Sequence, residues 1–346
     1  MGLLGLWIFL LAGCIPFSPL VQLNPPAAPA VLLHWDMVTD STARLEFSSP
    51  VQPLGVDQGL WSNPEPYGYQ VMLLDESSQS SHHRVLMVEF LDQSPTPGEP
   101  ITLQGTVEDL HGNRLSFSAP VFGFNPNLPT LVINEIRAVN SSARTEAIEI
   151  LAASSGHLGG ATLVVGHPQT PNQVVRFPPI PVEQGDFIVL HFRAQVGSIL
   201  DQYGNYGNPP AGSPVLDGVI NLYAEGGLSA TGEVIFIARD PRMIRFVDGI
   251  MYTNKTNNPE DRYRGFGTRA ALEKAEFFAR TGLWYPEIPT QVDPEDFPTS
   301  LGMTVTRTLN RRPYEEGEPR SKHQWYICAT GQGSIGEVNS QIEHIP

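Results

Sequence analysis

Cysteine is nearly absent from this 346-residue chain, which contains only Cys14 and Cys328. If Cys14 is modified, no intramolecular disulfide can form, even in an oxidising compartment. The folded parts must then be held together by their apolar cores alone. Cys328 lies in the apolar, strand-like run of residues 325–330, which predicts a buried, unreactive thiol.

Basic residues are also scarce, with 21 Lys and Arg against 36 Asp and Glu and a formal net charge of −15. A nucleic-acid-binding protein usually has a basic face that displaces counterions from phosphates. The charge therefore disfavours nucleic acid as a partner, and it suits solubility. Charged residues make up only 16% of the chain, against a usual value of about 25%, so disorder driven by charge is not expected.

No apolar run reaches the length of about 20 residues that a membrane-spanning helix requires. The longest run, residues 2–13, is uninterrupted for twelve residues and is soon followed by Pro16 and Pro19. This length is typical of the hydrophobic part of a signal peptide.

Sequence motifs for catalysis are missing as well. The chain has no G-x-S-x-G, H-E-x-x-H or C-x-x-C pattern. Two glycine-rich runs, residues 265–270 and 331–336, lack the strand–helix–strand context of a dinucleotide site. The sequence therefore predicts no catalytic residues, no cofactor and no metal.

Proline and glycine, in contrast, are abundant, with 32 of each. Proline occurs at nearly twice its usual frequency of about 5%, and it is scattered along the chain. Because proline is excluded from helix interiors and central strands, this distribution favours many short strands separated by turns. The length is sufficient for two domains.

The apolar run ends in Leu11-Ala12-Gly13-Cys14, which resembles the lipobox of bacterial lipoproteins. The resemblance implies a signal peptide over residues 1–13 and a lipid on Cys14. It also implies an exported protein anchored to a bacterial membrane and facing the periplasm or the outside. The alternative is an ordinary secretory signal in which Cys14 falls by chance. Residues 14–30 are proline-rich and uncharged, which predicts an extended tether.

Residues 31–126 contain six or seven short alternating runs between turn signals, a spacing typical of an immunoglobulin-like sandwich. Residues 106–117 resemble the late-strand hairpin of bacterial immunoglobulin-like domains, in which an aspartate precedes a Gly-Asn turn. Here Asp109 precedes Gly112-Asn113.

Residues 130–340 resemble a lamin tail domain. The I-N-E-I motif at residues 133–136 and the Glu149-Ile150 pair look like its first two strands. Further matches follow in the family's order at residues 184–190, 227–237, 247–252, 306–311 and 325–339. The resemblance implies an immunoglobulin-like sandwich with insertions near residues 193–226 and 253–300.

The second insertion contains a predicted helix over residues 270–280, which Thr268 can cap and Gly282 can end. The predicted fold is therefore all-β, with two immunoglobulin-like β-sandwich domains, the second having long insertions that include one short helix.

The lamin-tail resemblance also implies that Glu135 and Glu149 lie on neighbouring strands. In that family such positions look structural. Paired carboxylates can also perform acid–base chemistry, and this remains the alternative interpretation.

A possible ligand surface consists of aromatic residues on the two glycine- and asparagine-rich insertions, because rigid rings bury area at little entropic cost. These residues are Tyr203, Tyr206, Tyr263, Phe266, Trp284 and Tyr285. The other interpretation is that the rings cover the ends of the sandwich.

The sequence thus predicts a membrane-anchored, non-enzymatic module that binds a protein or glycan or has a structural role. The first alternative is a hydrolase or nuclease, or an accessory module of one, since bacterial lamin-tail-like domains often accompany such enzymes. The second alternative is DNA binding through the lamin-tail-like domain, against which the net charge argues.

Overall fold

A computed structural model describes nine ranges of the chain: 28–54, 60–63, 69–73, 82–91, 93–193, 216–256, 262–284, 291–315 and 320–345. Within them, regular structure is almost entirely β-strand, with one α-helix of 12 residues, which confirms the all-β, sandwich-like class with one short helix. Cys14 and the leader lie outside the described residues, as do Tyr203, Tyr206 and Tyr285.

The first part of the chain forms seven strands. They are β1 (Leu32–Met37), β2 (Thr42–Pro53), β3 (Leu60–Asn63), β4 (Tyr69–Leu73), β5 (His83–Phe90), β6 (Pro100–Asp109) and β7 (Arg114–Phe122). The start of β2 pairs with β1 and β5, while Val51–Pro53 at its end pairs with β6. Strand β2 therefore joins two antiparallel groups, β1-β2-β5-β4 and β3-β6-β7.

A core of its own lies within this first part. Burial alternates along β2 and β6, so that every second residue points inward. Leu45 and Phe47 from β2 and Leu103 and Val107 from β6 are fully or almost fully buried there.

The second part contains twelve further strands. They are β8 (Leu131–Arg137), β9 (Ala147–Ala152), β10 (Gly156–His157), β11 (Thr162–His167), β12 (Thr170–Arg176), β13 (Pro181–Val182), β14 (Phe187–His191), β15 (Ile220–Tyr223), β16 (Gly232–Ala238), β17 (Phe246–Thr253), β18 (Leu309–Arg311) and β19 (Trp325–Ile327). They form a four-stranded sheet, β12-β11-β16-β17, a six-stranded sheet, β15-β14-β9-β8-β18-β19, and the small pair β10-β13. Short 3₁₀ turns occupy Pro294–Asp296 and Lys322–Gln324.

The end of the first predicted insertion belongs to the six-stranded sheet. Residues Ile220–Tyr223 form β15, which pairs with β14 in parallel register. A parallel partner requires a long connection between the two strands, and the intervening residues 192–219 provide it.

Helix α1 (Arg269–Arg280) covers the four-stranded sheet and agrees with the predicted helix. The Thr268 side chain caps it by accepting a hydrogen bond from the Ala271 amide at 3.1 Å. Phe278 of the helix packs on Phe236 of β16, with ring centroids 5.6 Å apart. Because side chains alternate along a strand, Ile235 and Ile237 point to the other face of this sheet. All three β16 residues are fully buried, so the sheet is covered on both sides.

The two parts of the chain meet backbone to backbone at Gly98. Its φ of +78° favours glycine, and a Cβ atom there would lie 2.2 Å from the Gly160 nitrogen. Nearby, Arg242 of the second part pairs with Asp36 of the first at 2.7 Å. These contacts hold the first and second parts of the chain together at this junction.

Candidate functional site

Two glutamates lie side by side on the six-stranded sheet. Glu135 of β8 is the register partner of Glu149 of β9, and Asn310 of β18 is opposite Glu135 on its other side. Ile148 and Ile150 flank Glu149 and belong to the apolar core, so Glu149 points to the opposite face of the sheet. Both glutamates are fully buried. Polar side chains therefore line up on the face of the sheet that points away from the apolar core. Because they are buried, another segment of the chain must cover this face.

A β-bulge directs Asn134 towards the same region. The pairing of β8 with β9 shifts register between Ile133 and Glu135, so Asn134 leaves the ordinary alternation. Its Nδ2 donates to Glu149 Oε1 at 2.6 Å. The bulge therefore lets the adjacent residues Asn134 and Glu135 both reach the polar face of the sheet.

The segment of residues 331–340, called the C-terminal strap below, covers this pair. Ser334 donates to Glu135 from its amide at 2.9 Å and from its hydroxyl at 2.6 Å. The Gly336 amide donates to Glu149 Oε2. Asn339 Nδ2 donates to the backbone oxygens of Asn134, at 3.1 Å, and of Arg311, at 2.8 Å. The strap therefore supplies donors to both carboxylates.

Burial changes the acid–base chemistry of the pair. Burial, and then the neighbouring Glu135 carboxylate, raise the pKa of Glu149 from its usual 4.5 to about 8. Burial also raises the pKa of Glu135, while hydrogen bonds from Ser334 and Thr308 oppose that rise. The raised pKa of Glu149 favours a proton on this side chain at neutral pH, while the donors from Ser334 and Thr308 favour negative charge on Glu135.

The two carboxylates are not accessible to a substrate. Each carboxylate oxygen of the pair accepts a hydrogen bond from the strap or from Asn134. A general acid or base must reach the proton of a bound substrate. Here the strap occupies the positions from which a substrate would approach.

A second buried charge cluster lies where the two sheets of the second part meet. Asp248 of β17 is fully buried and accepts from the Ile133 amide at 2.7 Å. Its oxygens lie 3.2 Å from Arg311 Nη1 and 2.9 Å from Arg320 Nε. Arg311 itself is 2% exposed and also donates to Gln324 at 3.3 Å. Sequence reasoning missed this cluster, although a charged residue inside an apolar strand was a usable signal.

The predicted aromatic ligand surface is wrong for Phe266 and Trp284. They are 2% and 5% exposed, and they form one cluster with Phe278 and Phe297. Burying such large rings stabilises the helix against the sheet, so these two residues fit the alternative that rings cover the sandwich. Tyr263, at 43% exposure, is at the surface.

The second insertion instead lines an open cleft of about 440 Å³ at the edge of the six-stranded sheet. Aromatic and basic side chains share its lining, and the cleft, called the aromatic cleft below, is defined by Lys255, Phe297, Arg312, Lys322, Trp325 and Tyr326. Arg312 lies over the Tyr326 ring, 5.1 Å from its centroid, and pairs with Glu343 at 2.7 Å. Lys322 Nζ donates to the Glu295 backbone oxygen. Volume and lining are those of a small-ligand site with several cations.

The thiol of Cys328 is buried, as the sequence predicts. Cys328 is fully buried, and its Sγ lies 3.2 Å from the Thr308 hydroxyl. In the nine described ranges, no cluster of three or more His, Cys, Asp or Glu side chains is placed to hold a metal ion. The same ranges contain no helix with the length and apolarity to cross a bilayer.

The geometry defines an all-β protein with a strapped, polar sheet face in its second part, and comparison with known proteins assigns that part to a family. Residues 129–327 match the family TP_1001_2nd, described as a protein second domain. This match spans more than half of the chain, and the chain belongs to that family.

Two individual proteins are similar to the chain. A protein of Treponema pallidum (strain Nichols), named an uncharacterized protein, is 30% identical over 139 residues. The match covers 40% of this chain and only 34% of that relative. The crystal structure of a DUF4876 family protein from Bacteroides thetaiotaomicron aligns with 90% of this chain and 96% of its own, with 13% identity and a TM-score of 0.30.

Proposed function

We propose that the chain is an exported, lipid-anchored module that binds an acidic glycan or protein through the aromatic cleft and performs no catalysis. The observation that carries this proposal is the cleft itself. It is open, it has a volume of about 440 Å³, and it combines Phe297, Trp325 and Tyr326 with cationic side chains. The cations supply selectivity for negative charge, whereas the three rings are themselves at most 7% exposed and form part of the cleft wall.

The position of the cleft supports a binding role for the second part. Lys255 and Phe297 come from the second insertion, whereas Trp325 comes from β19 and Arg312 directly follows β18. Recognition residues placed on loops against a rigid sheet are typical of binding modules. One side of the cleft is thus formed by an insertion that the sequence assigned to ligand contact, although the cleft uses other rings.

The strapped carboxylates support a structural role for Glu135 and Glu149 over the hydrolase alternative. Their oxygens are engaged by Ser334, Gly336 and Asn134. A hydrolase would need these groups to face an accessible substrate. Hydrolysis of any glycan or nucleic acid that disappears in Glu149→Gln, with the fold intact, would reverse this assignment.

The strand order supports the immunoglobulin-like interpretation of the first part. The groups β1-β2-β5-β4 and β3-β6-β7 have the order of the constant-type immunoglobulin sandwich, ABED against CFG. In the second part, the I-N-E-I motif lies on β8, Glu149 lies on β9 and Asn339 lies in the strap. The hydrogen bonds that join these three elements support the lamin-tail-like interpretation.

Charge removal in the aromatic cleft tests the binding proposal. We expect Lys255→Gln/Lys322→Gln to weaken binding to the acidic polysaccharide polygalacturonate at least tenfold, because hydrogen bonds to charged groups contribute about 1.5–3 kcal/mol each. Affinity electrophoresis of the full chain measures this, with neutral dextran as the reference gel. The matched control, Arg84→Gln/Arg280→Gln, removes two exposed charges elsewhere. Equal retention of both variants would contradict the proposal, and retention by duplex DNA in place of the polysaccharide would favour DNA binding.

Lipid attachment is tested separately at Cys14. We expect the chain produced in a bacterium to partition into the detergent phase and to carry the mass of two or three acyl chains. The physical reason is that each buried methylene contributes about 0.8 kcal/mol, so two chains hold a protein stably at a membrane. Cys14→Ser should lose both the added mass and the detergent partitioning. An unmodified, cytosolic wild-type product would contradict export and anchoring.

A further inference from the structure

A second cleft, called the junction cleft below, lies where the first and second parts of the chain meet. It has a volume of about 350 Å³, and both parts contribute to its lining. From the first part come residues around β1 and the end of β7. From the second come Gly159, Gly160 and the turn that connects β16 to β17. Ligand sites occur preferentially at such junctions between folded units.

One arginine builds the wall of the junction cleft. Arg242 Nη2 lies 2.7 Å from Asp36 and 3.2 Å from Asp240, and its Nη1 donates to the Trp35 backbone oxygen at 3.2 Å. These bonds connect the β16–β17 turn to β1. The charge of Arg242 is thereby satisfied within the protein, so this residue has a positioning role.

Two other arginines of the same turn, Arg239 and Arg245, differ from Arg242 in their contacts. The Arg239 amide donates to the Arg245 backbone oxygen at 2.8 Å, which places the two residues opposite each other across the turn. Both are exposed and both line the junction cleft. Among the described residues, neither guanidinium has a hydrogen-bond or ion-pair partner. Like charges placed opposite each other across a strand pair are destabilising.

This pair is unusual in a chain with a net charge of −15, where carboxylates outnumber basic residues 36 to 21. We propose that the junction cleft binds a phosphate group through Arg239 and Arg245. A guanidinium presents a planar fork of donors that matches phosphate oxygens in two bonds. Two such forks match the double charge of a phosphate monoester or of inorganic phosphate.

The surroundings of the two arginines allow an organic group next to the phosphate. Ile244 lies between them in sequence and is 62% exposed, and Met37, Phe122 and Phe124 also line the cleft. The phosphate can therefore come from a free ion or from a lipid whose headgroup is a phosphate monoester. In both cases the recognised chemistry is the same, and the experiment separates the two sources.

Isothermal titration of the full chain with inorganic phosphate in 150 mM NaCl tests the proposal directly. We expect saturable binding that Arg239→Gln/Arg245→Gln weakens at least tenfold. Arg84→Gln/Arg280→Gln removes the same charge from other exposed positions and should leave binding within twofold of wild type. Acetate at equal ionic strength should bind more weakly, because it carries one charge.

Flotation with vesicles that contain phosphatidic acid, a phosphate monoester, or only phosphatidylcholine identifies the source. The variants are compared in one Cys14→Ser background, so that any contribution of the leader is common to all. Vesicle binding that depends on Arg239 and Arg245 indicates a headgroup, and Ile244→Ser should then reduce it without changing phosphate binding. Phosphate binding without vesicle binding indicates a free ligand. Absence of both, or equal loss in the control variant, overturns the proposal.

Discussion

Replacing Asp248 by alanine should lower the free energy of unfolding by about 3–5 kcal/mol. Removal of one partner from a buried ion pair leaves the other charge uncompensated in a medium of low polarity. Here the groups left without their carboxylate partner are Arg311, which is 2% exposed, Arg320, whose Nε lies 2.9 Å from Asp248, and the Ile133 amide, which donates to Asp248 at 2.7 Å. Because a domain is stable by only about 5–15 kcal/mol, this loss should be visible as a large shift of the urea transition.

Two further variants serve as controls for Asp248→Ala. Asp248→Ala/Arg311→Met removes the two most buried charges and leaves Arg320, which is 25% exposed. It should recover part of the loss because the most buried cation is then no longer unpaired. Glu273→Gln breaks the exposed pair of Glu273 with Arg269 on α1, for which a change of about 0.3–0.5 kcal/mol is expected.

Hydrogen exchange read by mass spectrometry should locate the loss in peptides from β8 and β17, the strands that Asp248 connects. A loss below about 1 kcal/mol in Asp248→Ala would mean that water reaches the site and that the cluster does not hold the sheets together.

The elements that could be predicted from the sequence depend on local patterns. Proline distribution and alternating runs indicate the all-β class, and Thr268 and Gly282 bound the helix because caps act within one turn. The pairing of Glu135 with Glu149 also agrees with the expectation of neighbouring strands. All of these inferences use residues close in sequence or an established motif order.

The elements that could not be predicted depend on contacts between distant residues. Asp248 and Arg311 are 63 positions apart, and no periodicity indicates that their strands approach. Phe266 and Trp284 look exposed among glycines and prolines, but α1 supplies Phe278 as a partner and buries them. Ser334 reaches Glu135 over 199 positions. A single sequence gives no information about such pairs.

The strap gives the buried carboxylates a physical role that differs from catalysis. Residues 331–340 come from the end of the chain, and they lie on a sheet face that carries Glu135, Glu149 and Asn310. Each of these side chains contacts the strap or its neighbours. A polar face covered in this way is specific, because a shift of the strap by one residue would leave buried carboxylates without donors. The aromatic cleft, formed partly by β18 and β19, depends on the same sheet.

Replacing Glu149 by glutamine should change the pH dependence of stability. The pKa of Glu149 is raised to about 8 in the folded chain, whereas an unfolded chain has the usual value near 4.5. The folded state therefore binds the extra proton between these two values. Wild-type stability should consequently fall as pH rises from about 5 to about 8, by up to about 1.4 kcal/mol for each pH unit. Glutamine is neutral throughout, so this part of the slope should disappear.

The direction of the Glu149→Gln effect should thus reverse with pH. Near pH 5 the variant should be less stable by about 1 kcal/mol, since the amide nitrogen replaces one acceptor of the Asn134 and Gly336 hydrogen bonds. At pH 9 it should be more stable than wild type, in which Glu149 must ionise while buried beside Glu135. Urea titrations at pH 5, 7 and 9 measure the stability difference between variant and wild type on both sides of the reversal.

Glu135→Gln is the matched control, because it is the same substitution on the register partner. It should be destabilising at every pH, since the Ser334 amide and hydroxyl donate to different oxygens of Glu135 and the amide nitrogen of glutamine cannot accept one of these two bonds. It also removes the neighbouring charge that contributes to the raised pKa of Glu149. The slope should therefore become shallower without vanishing, because burial is the larger cause. If Glu149→Gln instead shifts stability by the same amount at pH 5 and pH 9, Glu149 does not hold the proton of the pair.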